Sequence, residues 1–136
     1  MTSQTSLRSG STKLAKSGWI ILLAVSTLGA LNHTVGALAF AGPDPEPLMF
    51  AAFASLNLYA TAVLIWPYRR GEMWAWLVTW VEVAAFALVY PLTDDAAIGT
   101  AYLVGAAILA LAQLASLPRF RAETKPRPAS SAPVPR

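Results

Sequence analysis

The chain has 136 residues, of which 56% are hydrophobic and 12% charged, with a formal net charge of +3 and no cysteine. That length suits one domain, and a charged fraction well under the ~25% of a typical soluble domain leaves too little polar surface to cover a globule in water. The lack of cysteine excludes a disulfide framework and any thiolate metal centre.

Residues 1–17 are rich in Ser, Thr and Gly and carry Arg8, Lys13 and Lys16. They lack the apolar surface needed to offset ordering entropy, so a disordered basic tail is expected there. The first long apolar run follows at 18–41. Basic residues, an apolar run and then Ala39-Phe40-Ala41 also fit a secretory signal with an A-x-A cleavage site, but the run is about twice the usual 7–15-residue apolar region, so a retained span is expected. A connector at 42–47 holds Pro43, Pro45 and Pro47, which cannot continue a helix, with Pro47 suited to a first helical turn.

Further apolar runs lie at 47–66, 73–91 and 96–117. Each of the four is about 20 residues long, which at 1.5 Å per residue crosses a hydrocarbon core of about 30 Å. The second connector, 67–72, contains Arg69, Arg70, Gly71 and Glu72; the third contains Thr93, Asp94 and Asp95, any of which suits the cap of the last helix. Residues 118–136 form a Pro-rich basic tail, expected to be disordered. The fold class predicted is all-α, a bundle of four transmembrane helices spanning 18–117.

The charges orient this bundle. All ten Lys and Arg precede the first run, lie between the second and third, or follow the fourth, whereas the other two connectors carry Asp44, Glu46, Asp94 and Asp95 and no basic residue. The positive-inside rule then places both termini in the cytoplasm. Trp19, Trp66, Tyr68, Trp74 and Trp76 collect near the same side, as interfacial aromatics do, and Tyr90 lies near the other. The basic segments also suit contact with anionic headgroups, worth ~1 kcal/mol per basic residue near the surface. No folded basic surface is available for nucleic acid.

Polar residues at membrane depth are the candidate functional residues, because lipid offers them no water. Glu82 falls at the centre of the third run and Asn57 near the centre of the second; His33, beside Asn32, and Tyr102 lie toward the acidic side. Spacings of three and four put Ser26, Gly29, His33 and Gly36 on one stripe. They likewise align Asn57 with Thr61, Thr79 with Glu82 and Ala85, and Tyr102 with Ala106, Leu109, Gln113 and Ser116. Glu82 is expected to point inward, toward Thr79, Asn57 and His33, and to carry its proton or be paired there. Three readings stay open for it: hydrogen-bonded glue between helices, a ligand, ion or proton site, or a side chain that faces lipid. One histidine and no cysteine do not make a zinc site or bis-histidine haem ligation, so no metal or cofactor is expected.

At Asn57-Leu58-Tyr59 and at Arg69-Arg70-Gly71-Glu72-Met73-Trp74-Ala75-Trp76, the chain resembles small four-helix prokaryotic membrane proteins of the DoxX-like kind. The resemblance covers residues 18–117 and is one of architecture. It implies a four-helix bundle in the prokaryotic inner membrane with cytoplasmic ends, and it transfers no catalytic residue. Small multidrug resistance transporters also have four short spans and one membrane glutamate, but theirs belongs to the first span.

No catalytic motif is present, and the sequence leans away from an enzyme. The function expected is a membrane-complex subunit or a small-ligand- or lipid-binding bundle, acting as a homo-oligomer or with other membrane subunits. The alternatives are an oligomeric proton-coupled transporter using Glu82, and an intramembrane enzyme on an apolar substrate with His33 and Glu82 as acid and base.

Overall fold

The fold is taken from a computed structural model, which describes residues 3–40 and 46–123, with side-chain surroundings for 13–40 and 46–121. The elements are α1 (Ser3–Ala39), α2 (Glu46–Ile65), a 3-10 turn (Tyr68–Arg70), α3 (Met73–Val78), α4 (Trp80–Leu92) and α5 (Ala96–Glu123). Four stretches are long and apolar enough to cross a bilayer: Lys13–Ala39, Glu46–Arg70, Met73–Leu92 and Ala96–Arg121. They correspond to the four apolar runs. The helical backbone of α1 begins well upstream of residue 18, because a helix need not stop where its apolar stripe does; residues 41–45 of the first connector and 124–136 of the tail lie outside the described residues.

Large apolar side chains cover the exterior while several polar ones are buried. Ser26, His33, Asn57, Thr79, Glu82, Gln113 and Ser116 are buried, whereas Leu28, Leu31, Val35, Leu38, Leu48, Leu88 and Leu111 stand well exposed. The interior also holds an apolar cluster that includes Leu22, Leu64, Leu109 and Phe120, and an exterior this apolar is stable only where the surroundings are themselves apolar. This pattern, together with the span lengths, makes the molecule a multi-pass membrane bundle.

The helices run up and down, α1 packing against α2 and α5, and α4 against α5, with only sparse contact between α2 and α4. Small residues set the close approaches. A side chain at Gly18 would meet the Ala112 carbonyl oxygen at 2.5 Å, and one at Gly36 would meet the Phe50 ring at 2.6 Å. Gly29 leaves the space that the Asn57 amide fills. This is the usual packing mode in lipid, where small residues let backbones come together.

Two local features shape the ends. Gly71 adopts φ 76°, a left-handed conformation that favours glycine, and closes the 3-10 turn through its N–H to the Tyr68 carbonyl. At the opposite end, Asp95 caps α5 by accepting from the N–H groups of Ala97 (2.8 Å) and Ile98 (3.1 Å). The third run is not one uninterrupted helix: α3 ends at Val78 and α4 starts at Trp80, with Thr79 between them.

Candidate functional site

The break at Thr79 has an identifiable cause. Gln113, from α5, inserts its amide into the ladder: Nε2 donates to the Trp76 carbonyl and to Thr79 Oγ1 (2.5 Å). Side-chain insertion of this kind is a recognised source of helix distortion. The Thr79 hydroxyl in turn lies within bonding distance of the carbonyls of Ala75 (3.2 Å) and Trp76 (3.0 Å). Gln113 Oε1 accepts from Tyr68 Oη at 3.1 Å, Tyr68 also contacts Ser116 Oγ, and Ser116 donates to the Gln113 carbonyl at 2.7 Å. Trp76 Nε1 donates to that same carbonyl at 3.0 Å. Every polar atom of the Gln113 amide is thus satisfied by protein, and this network ties the basic end of the bundle together.

Glu82 stands at the middle of its span, Met73–Leu92, and is 2% exposed. Its Oε2 lies 2.9 Å from Ser26 Oγ, and Ser26 Oγ also lies 2.9 Å from the Leu22 carbonyl. A hydroxyl has one proton to give. If it goes to Leu22, the second contact is completed by a proton on the carboxyl, donated by Oε2–H to Ser26 Oγ. A neutral Glu82 therefore completes both bonds, and an ionised one leaves one of them without a hydrogen. The other oxygen, Oε1, is buried and has no partner, as are Thr61 Oγ1 and Asn57 Oδ1. Asn57 Oδ1 rests against Gly29, which offers it no polar partner, so all three atoms are without a hydrogen bond.

A third group lies toward the acidic end. Asn57 Nδ2 is 2.7 Å from the Phe53 carbonyl, which fixes the nitrogen of the amide on that side. Its second N–H faces His33 Nδ1 at 3.3 Å. Nε2 lies 2.7 Å from Tyr102 Oη, and which atom donates in each of these two contacts follows from the imidazole tautomer. Phe53 stacks on the imidazole, with ring centroids 5.2 Å apart, and Phe86 and Tyr102 complete the aromatic surround.

The sequence-predicted residues thus divide. His33, Asn57 and Tyr102 come together as one hydrogen-bonded set. Thr79 joins Gln113 instead of Glu82, and Glu82 bonds Ser26, with no hydrogen bond to Asn57 or His33. Ser26 and His33 are two turns apart on α1, about 10 Å along the axis, so Glu82 and His33 occupy separate levels. Asn32 is exposed on the outer face: one residue from His33 is about 100° of rotation, which turns it out of the bundle. Tyr68, expected at the interface, is fully buried because the turn after α2 swings its ring under Phe120 and its hydroxyl onto Gln113. Sequence reading placed Ser26, Gln113 and Ser116 on the inward stripes without assigning them to these networks. Among the described residues, no three His, Cys, Asp or Glu side chains gather as a metal site would require.

Comparisons with protein-family models, with curated proteins and with solved structures found no match to this chain.

Proposed function

We propose that this chain is a non-catalytic four-span membrane protein that binds a small hydrogen-bond-donating ligand at Glu82, in the middle of the bundle. The observation that carries this reading is the contrast between two buried polar groups. The Gln113 amide is closed on itself by protein partners, as packing glue is, whereas Glu82 keeps an unpartnered oxygen at the depth where leaving one is most costly. Thr61 Oγ1, one helical turn from Asn57 on the same inward face, supplies a second open polar atom. A donor such as a protonated amine or a hydroxyl satisfies the Glu82 oxygen. The apolar exterior supports a setting in lipid, or against other membrane subunits, the charge distribution supports cytoplasmic termini, and a prokaryotic inner membrane is what the DoxX-like resemblance implies.

The two-turn separation of His33 and Glu82 gives no support to the intramembrane acid–base enzyme. Proton-coupled transport by an oligomer has one observation in its favour: Glu82 lies between two hydrogen-bonded networks stacked along the bundle, Gln113 on one side and His33 on the other. The first test uses methylammonium as the probe. At matched ionic strength against sodium, methylammonium raises the thermal midpoint of the detergent-solubilised wild type and leaves Glu82→Gln unmoved. Equal response of the two proteins would remove Glu82 as the site. Proteoliposomes with an internal pH dye separate the transport reading, which requires proton movement that Glu82→Gln abolishes.

A further inference from the structure

At the basic end, on the outside of the bundle, Ile65, Trp66, Arg69 and Arg70 line an open pocket of about 370 Å³. Its two guanidinium groups are adjacent in sequence, on the 3-10 turn that follows α2. Each is steadied by an indole: Arg69 lies 5.5 Å from the centroid of the Trp19 ring and Arg70 lies 5.0 Å from that of Trp66. Neither pairs with a carboxylate among the described residues, and Glu72, the nearest acid in the chain, accepts from Trp74 Nε1 at 2.6 Å. Arg119 donates to the Arg69 carbonyl, which brings a third cation to the same turn. The other wall is apolar and faces outward, with Trp66 64% and Ile65 49% exposed.

We infer that this pocket is a binding site for an anionic phospholipid, its phosphate held by Arg69 and Arg70 and its glycerol and upper acyl chain lying on Trp66 and Ile65. This inference rests on the chain being seated in a bilayer and is independent of any ligand at Glu82. Two planar guanidinium forks match phosphate oxygens in a way that dispersed lysines do not. Pre-positioning on indoles reduces the side-chain entropy lost on binding. The apolar wall immediately next to the two charges selects a lipid over free phosphate, because only a lipid covers both surfaces.

The test uses purified protein in phosphatidylcholine nanodiscs with and without phosphatidylglycerol, followed by native mass spectrometry of the retained lipid. Wild type retains phosphatidylglycerol over phosphatidylcholine, and Arg69→Gln/Arg70→Gln loses at least about tenfold of that preference. Lys13→Gln/Lys16→Gln, which removes the same charge from the same end, keeps it. Arg69→Lys/Arg70→Lys, with charge but no fork, gives an intermediate preference and serves as the folded reference should the Gln pair be unstable. Equal losses in the Gln pairs at 69/70 and 13/16, or an unchanged preference in the Lys pair, would reduce the effect to diffuse charge and overturn the site. Displacement of the lipid by inorganic phosphate would overturn it in favour of a free-anion site.

Discussion

Glu82, Asn57 and Gln113 are all buried polar residues on inward stripes, and their surroundings give them different roles. Gln113 satisfies a helix break that it creates: its amide holds the Trp76 carbonyl and Thr79 hydroxyl while accepting from Tyr68. Gln113→Ala removes one hydrogen bond from each of those three partners, which keep contacts among Thr79, Ala75, Trp76 and Ser116, and is expected to cost about 1–3 kcal/mol, with the lower part of that range favoured by measurements in membrane bundles. Denaturant unfolding in mixed micelles reads this directly, and an unchanged midpoint would mean that the network contributes nothing net. Sequence periodicity marked Gln113 and Ser116 as inward-facing, since residues three and four apart share a face. It could not pair Gln113 with Thr79, because the register between helices is not contained in the pattern of either one. For the same reason Ser26 appeared on the correct stripe but not as the partner of Glu82, and Glu82 was directed toward Asn57 and His33 instead. Adjacency to His33 suggests Asn32 for the cluster, but neighbours in sequence point to different sides of a helix, and Asn32 is exposed.

At the scale of the elements, the approach of α1 to its neighbours is set by glycines whose obstacles differ in stiffness. A Cβ at Gly18 meets a backbone oxygen on α5, which cannot move without moving that helix. A Cβ at Gly36 meets the ring of Phe50, a side chain that can rotate toward the exterior. Gly18→Ala is therefore expected to destabilise by about 1–3 kcal/mol, the usual range for overpacking, and Gly36→Ala by clearly less. Thermal midpoints of the two variants decide this, and the reverse order would contradict the packing described. The four long helices are legible from apolar run length alone, and a cap among Thr93, Asp94 and Asp95 from their place before the last run, of which Asp95 is the one that serves. The split of the third span into α3 and α4 is not legible, because Thr79 alone is a weak breaker and the residue that opens the ladder is 34 positions away.

For the whole molecule, an apolar exterior over an interior that mixes an apolar cluster with buried polar groups describes a bundle whose solvent is lipid. The basic residues Lys13, Lys16, Arg69, Arg70 and Arg119 and the acidic residues Glu46, Asp94 and Asp95 belong to opposite ends of the helices. The proposed orientation puts the basic end in the cytoplasm. With no native cysteine in the way, Asp94→Cys is expected to react with an impermeant maleimide from outside intact cells and Lys13→Cys only after lysis; the opposite pattern would invert the bundle. Orientation was argued from charge and the helical paths confirm only that the charges segregate, since a helix packs equally well whichever way the bundle faces. The central claim is that Glu82 holds a ligand and does more than join helices. Its most direct test is native mass spectrometry of wild type and Glu82→Gln, purified in parallel in a mild detergent. The account predicts a non-protein mass retained by the wild type and absent from a folded, equally stable Glu82→Gln. Identical bare masses for both proteins, with unchanged thermal midpoints, would contradict it and leave Glu82 as a hydrogen bond to Ser26 and nothing more.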